Sequence, residues 1–135
     1  MTPASVLVVE DEGLIALQLM ELLSKAGYHV PDAVASGEEA LEVLGRTTTP
    51  DLILMDIGLP GGMDGIETAR RIREKIDIPV IFITAYTNER ILSRMEGLSS
   101  VSYLVKPFPD LDLLSGIETA LSQKKENEIS RPVFG

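Results

Sequence analysis

The chain repeats one local pattern five times. Short apolar runs (Val6 to Val9, His29 to Val34, Leu52 to Met55, Val80 to Ile83, Val101 to Val105) each give way to a segment whose apolar residues recur at helical spacing. Runs apolar at consecutive positions suit strands buried on both faces, as in a parallel sheet. Right-handed βα crossovers place helices over both sides of such a sheet. The expected class is therefore α/β, a doubly wound five-stranded parallel sheet with helices on both faces. With 135 residues, 44% of them apolar, the chain suits one core and is too short for two ordinary domains.

Charge and cysteine content narrow the function classes. A formal charge of −9 repels phosphate backbones and anionic lipid, so neither nucleic acid nor membrane is expected as a direct partner. Without cysteine there is no disulfide framework and no thiolate metal site, which fits a reducing compartment. The first apolar run is too short for a signal peptide or a membrane span and meets an acid at Glu10. A cytoplasmic protein is expected.

The helices are bounded by recognisable signals. The first, about Gly13 to Ala26, places Ile15, Leu19, Leu22, Leu23 and Ala26 on one stripe and ends at Gly27. Leu14, Leu17 and Met20 fall outside that stripe, where scattered surface hydrophobes are normal. The second opens on Ser36-Gly37-Glu38-Glu39 and the third on Asp64-Gly65-Ile66-Glu67, both with capping-box spacing. The fourth, from Thr87, carries only Ile91, Leu92 and Met95, a thin apolar face that marks it as the loosest element. The fifth has Asp110 as its cap and a firm stripe of Leu113, Leu114, Ile117, Ala120 and Leu121. Residues 1–123 form the expected domain. Residues 124–135, with Pro132 near the end, read equally as a fraying helix end, a linker or a cut made in a longer protein.

In a parallel α/β sheet the C-terminal strand ends converge, and ligands are bound there. Here those ends carry Glu10-Asp11-Glu12, Asp56, Thr84-Ala85 and Lys106-Pro107. Taken singly, each reads as a helix cap or a solvated loop residue. Together they offer clustered hard oxygens suited to Mg²⁺, a lysine and a threonine for phosphoryl oxygens, and a free carboxylate, Asp56, able to attack phosphorus. His29 lies in a strand away from that edge and is read as structural.

These residues recur in the order and spacing of a known family. The sequence resembles the receiver domain of two-component response regulators over roughly Ser5 to Gln123. The resemblance implies a flavodoxin-like sheet of strand order 2-1-3-4-5. It also implies that Asp56 accepts a phosphoryl group from a phosphohistidine, and that Glu10, Asp11, Asp56 and the backbone carbonyl of Gly58 hold Mg²⁺. Thr84 and Lys106 match the phosphate-sensing pair, with Ala85 beside the threonine. Tyr103 matches an aromatic that swings inward when the threonine moves, and Lys106-Pro107 matches a cis peptide. The implied output is a remodelled face made of the fourth helix, fifth strand and fifth helix. Such a domain is not an enzyme beyond its own phosphorylation and dephosphorylation. Its partners would be a sensor histidine kinase or histidine phosphotransfer protein, docked on the first helix at Leu14, Leu17, Gln18 and Met20, and a downstream protein or fused domain. It would be a monomer that can dimerise on phosphorylation.

Two departures stand out. The loop Ile57 to Met63 contains Gly61-Gly62 and is one residue longer than the common form, so more mobility is expected of it. Gly58 and Tyr86 flank the family's route for attacking water, one without a side chain and one bulky. Rival readings are a flavin-binding protein of similar architecture, a protein-binding scaffold without phosphoryl chemistry, the receiver module of a larger hybrid kinase, and an aspartyl phosphatase. Glu10-Asp11-Glu12 would repel a flavin phosphate, and the phosphatase would need a second acid where Gly58 stands.

Overall fold

In the computed structural model, which describes residues 3–46 and 48–130, strands and helices alternate along the whole chain. The order is β1 (Val6–Val9), α1 (Gly13–Lys25), β2 (Ala33–Val34), α2 (Gly37–Leu44), β3 (Leu52–Asp56), α3 (Gly65–Arg73), β4 (Val80–Thr84), α4 (Glu89–Glu96), β5 (Val101–Val105) and α5 (Asp110–Ser130). The strands form one parallel sheet of order β2-β1-β3-β4-β5, as the resemblance implied.

Alternation along each strand divides the core into two layers. Val6, Val8, Leu52, Leu54, Ile81 and Ile83 face α1 and α5, where Leu19, Leu23, Leu113 and Ile117 meet them. Leu7, Val9, Ile53, Met55, Val80 and Phe82 face the other way, against Ala40 of α2, Ile66, Ala69 and Ile72 of α3, and Met95 of α4. Every residue of β1, β3 and β4 is buried. Full burial of Leu52, Ile53, Leu54 and Met55 contributes about 1.5–3 kcal/mol each. β5 differs: as an edge strand it leaves Tyr103 41% and Val105 37% exposed.

Several boundaries differ from the sequence reading. The second strand shrinks from His29–Val34 to two residues, because Pro31 has no N–H for the ladder; His29 keeps only an isolated bridge to Ser5. α4 begins at Glu89 rather than at Thr87, since Asn88 caps it by accepting from the Ile91 amide at 2.9 Å. Asp110 is the first residue of α5 rather than its cap. In α1 the buried line is Ala16, Leu19 and Leu23, while Ala26, at the C-cap, is exposed. Gly27 follows in the left-handed region at φ 97°, which ends the helix. α5 runs on through Lys124 to Ser130, and the remainder of the expected tail, residues 131–135 with Pro132, lies outside the described residues.

Both capping boxes are present in their first half. Ser36 Oγ accepts from the Glu39 amide at 3.1 Å and Asp64 Oδ1 from the Glu67 amide at 2.9 Å. The Glu67 carboxylate turns to Arg70 instead of returning to the cap. The long loop after β3 is anchored by three buried side chains, Ile57, Leu59 and Met63. It closes with the Gly65 amide donating to the Ile57 carbonyl at 2.8 Å. Here the backbones touch: a Cβ on Gly65 would stand 2.1 Å from the Asp56 carbonyl oxygen, and neither partner is a flexible side chain. Gly65→Ala should therefore cost about 2 kcal/mol or more, against a few tenths for an exposed glycine. A urea midpoint unchanged in Gly65→Ala would contradict this contact.

Candidate functional site

β1 and β3 are neighbours in register, Val9 opposite Met55, so Glu10 and Asp56 leave the sheet side by side. Both are buried, at 3% and 8% exposure, an unusual place for two acids. Asp11 is exposed, and the three residues can each bring a carboxylate oxygen within 4.8 Å of the others. Lys106, following β5, reaches across the edge and places Nζ 3.1 Å from Glu10 Oε1. The amide of Glu12 donates to Glu10 Oε2 at 3.2 Å, and that of Gly58 to Asp56 Oδ1 at 3.1 Å.

Crowding of like charges decides the protonation of this pair. Burial pushes the Asp56 carboxyl up, the hydrogen bond and negative charge of Glu10 push it further, and Lys106 and the Gly58 amide offset only part, leaving it at about 7. Burial also works to raise Glu10, but its bonds to Asp56, the Glu12 amide and Lys106 win and hold it below the ordinary carboxylate value. One proton is thus shared by two acids. A divalent cation would replace it, and three carboxylates without imidazole or thiolate form the donor set that suits Mg²⁺.

The remaining strand ends supply the polar rim. Thr84 is buried, and its hydroxyl donates to the Tyr86 carbonyl at 2.6 Å while accepting from the Tyr86 amide at 3.3 Å. Ala85 and Tyr86 are exposed. The Lys106–Pro107 peptide is cis. Tyr103 lies beside Phe82 in register but is turned to the surface. Gly58 is exposed, and a Cβ there would stand 3.9 Å from Asp56 Oδ1, so no side chain covers the carboxylate on that side.

The four residues expected at the docking surface all lie on α1 and differ in exposure. Leu14 and Leu17 are 71% and 64% exposed, and Met20, one turn after Leu17, is half-buried. Gln18 lines a groove of about 600 Å³ between α1 and the β5–α5 connection, with Ile15 and Leu22 on its own side and Lys106, Pro107 and Phe108 opposite. Two features escaped the sequence reading. Phe108 was signalled only by following Lys106-Pro107. Arg94, an unremarked charge on α4, forks onto Asp64 with Nη1 and Nη2 at 2.5 and 2.9 Å from the two carboxylate oxygens. Only the fold brings these together, 30 residues apart.

Comparison with known proteins gives the same answer as this geometry. The response regulator receiver domain family matches residues 6–118. The chain belongs to that family. It is 38% identical over 124 residues to the transcriptional regulatory protein PdtaR of Mycobacterium tuberculosis, covering 92% of this chain and 60% of PdtaR. A solved structure of the N-terminal domain of a response regulator/sensory box/GGDEF three-domain protein from Carboxydothermus hydrogenoformans has a TM-score of 0.83 at 35% identity, covering 91% of this chain and 98% of that one. The signal receiver domain of a signal transduction histidine kinase from Syntrophus aciditrophicus has a TM-score of 0.81 at 32% identity, covering 97% and 99%. The chain spans about a third to three fifths of the length of the curated proteins it matches. This protein is thus a receiver domain of the two-component type, and among its described residues no helix is long and apolar enough to cross a membrane.

The shared proton has a thermodynamic consequence. Asp56 is raised from an ordinary 3.8 to about 7, so its contribution to stability is complete below 3.8 and is lost as pH rises through 7. Without divalent cation, Asp56→Asn should raise Tm by about 3 °C or more at pH 8, corresponding to at least about 1 kcal/mol, and by little at pH 4. Mg²⁺ should stabilise the parent at pH 8 more than the variant. Equal Tm differences at the two pH values would show that the acids do not share a proton.

Proposed function

We propose that this receiver domain is a phosphoacceptor switch in which Asp56 takes a phosphoryl group from a phosphohistidine. The observation that carries the reading is a buried carboxylate, at the end of β3, flanked by Glu10, Lys106 and Thr84 from three other strands. An Asp56 oxygen forms the new bond to phosphorus as the donor's P–N bond breaks and the imidazole departs. Glu10, Asp11, Asp56 and the Gly58 carbonyl would hold Mg²⁺, which supplies charge neutralisation for the phosphoryl oxygens. Lys106 would pair with one of those oxygens and the Thr84 hydroxyl with another. The chain catalyses only its own phosphorylation and its dephosphorylation, in which water takes the phosphoryl group and frees the Asp56 carboxylate, and is not otherwise an enzyme.

In this reading the threonine leaves Tyr86, Tyr103 turns inward, and the face of α4, β5 and α5 changes its affinity for a downstream protein or fused domain. The matched regulators are longer than this chain, which supports a module serving a larger system, and the likeness to a receiver domain of a histidine kinase keeps a hybrid kinase as an alternative. A cytoplasmic site suits its charge of −9 and its lack of cysteine. The donor, a sensor kinase or phosphotransfer protein, would lay an apolar helix face against Leu14 and Leu17, with Gln18 at the rim of the adjoining groove. A phosphate-free scaffold of the same fold would need neither the buried Asp56 nor Lys106.

Incubation with Mg²⁺ and acetyl phosphate should add one phosphoryl group, mapped by mass spectrometry to Asp56 and absent from Asp56→Asn. Full labelling of that variant would remove the assignment. The Leu14→Asp, Leu17→Asp double variant should keep its fold and its labelling by acetyl phosphate, yet lose at least tenfold in transfer rate from its phosphorylated donor, since each leucine buries about 1.5–3 kcal/mol of contact. Unchanged transfer would place the donor elsewhere.

A further inference from the structure

α4 has few anchors of its own. Met95 is its single buried residue, and Ile91 and Leu92 are half-buried. What adds to them is the two-toothed fork of Arg94 on Asp64, a geometry more specific than a point contact. Asp64 is a well-placed post for such a fork. It caps α3, its carbonyl accepts from both the amide and the hydroxyl of Thr68, and its neighbour Gly65 packs directly on the Asp56 carbonyl. The chain of contacts therefore runs from α4 through Arg94, Asp64 and Gly65 to the backbone of Asp56 itself.

We infer that the Arg94–Asp64 pair is a latch that clamps α4 to the acceptor loop and biases the domain toward its resting arrangement. The inference rests on the acceptor role of Asp56 proposed above. The direction of the bias comes from the company the latch keeps. Thr84 spends its hydroxyl on Tyr86, and Tyr103 is turned to the surface, so both stand in the arrangement that a phosphoryl group on Asp56 would have to displace. Contacts that exist in only one of two arrangements shift the balance toward it by their own free energy. The pair is partly exposed, Arg94 by 42% and Asp64 by 32%, with Glu67 as the other acid acting on the guanidinium. Its bias is accordingly modest, about two- to fivefold in the balance between arrangements.

The test uses the full chain with Arg94→Gln, with Asp64→Asn, which keeps an N-cap side chain on α3, and with both. Amide hydrogen exchange over residues 89–96 reports the clamp directly; titration with beryllofluoride in Mg²⁺ reports the bias. Each single variant should exchange two- to fivefold faster in α4 and bind beryllofluoride two- to fivefold more tightly, and the double variant should go no further than either single. Unchanged exchange in Arg94→Gln, unchanged or weakened beryllofluoride binding, or effects that add in the double variant would overturn the latch. If the parent takes no beryllofluoride, the acceptor role and the bias both fall, while the exchange comparison still decides whether the pair clamps α4.

Discussion

Two carboxylates that repel each other are held together because parallel strands leave the sheet in the same direction. Register between β1 and β3 puts Glu10 beside Asp56, and burial on both faces prevents either strand from shifting to relieve the contact. A one-residue slip would turn every apolar side chain of a strand to the opposite layer. The repulsion is therefore maintained by the hydrophobic core, which is far larger in energy. The local response is protonation, with Asp56 raised to about 7, and the counter-charge Lys106 must come from the far edge of the sheet because neither β1 nor β3 supplies a cation. The rest of the edge follows from that arrangement: β1 contributes Glu10 and Asp11, β3, β4 and β5 one polar group each, and the fold, rather than any local segment, assembles the site.

Rigidity is unevenly distributed around this centre. β1, β3 and β4 are wholly buried and place Asp56 and Thr84 without slack, whereas β5 exposes Tyr103 and Val105 and α4 buries only Met95. Elements with little buried apolar contact open at lower free energy than the core they adjoin. A change of charge at Asp56 thus meets a stiff support on one side and a compliant surface on the other. In the proposed switch, displacement would be directed toward α4 and β5, since moving β3 or β4 would expose residues such as Ile53 and Phe82.

Most of the fold was legible because it is written in patterns of short range. Four of the five strands, the five helices and their caps at Ser36 and Asp64 follow from apolar runs, helical spacing and capping residues. The errors fall where a single residue overrides the pattern. Pro31 breaks the β2 ladder, and Asn88, being a better cap than Thr87, takes the start of α4. At the site, strand-end position identified Glu10, Asp11, Asp56, Thr84 and Lys106 as neighbours. It could not assign Lys106 to Glu10, nor bind the Thr84 hydroxyl to Tyr86, because those choices depend on side-chain reach across the finished edge. Arg94 and Asp64 carried no signal at all as a pair: a charge on a helix face is ordinary, and only tertiary packing makes it a partner.

Thr84 shows how small the margin for switching is. Its hydroxyl donates to one backbone carbonyl and accepts from the amide of the same residue, a closed local arrangement in which nothing is left unpaired. In the proposed switch that arrangement must be given up, and the polar groups of Tyr86 must find water or new partners. Tyr86 is 65% exposed, so water reaches its backbone surroundings and the loss is small. The gain is a bond to a charged phosphoryl oxygen, roughly twice as strong as a neutral one. Exchange of a neutral, replaceable bond for a charge-assisted one gives the phosphoryl group the differential affinity without which no ligand moves an equilibrium. Had the partner of Thr84 been a buried core carbonyl, the same motion would have left an unsatisfied group at about 1–3 kcal/mol and cancelled most of the gain.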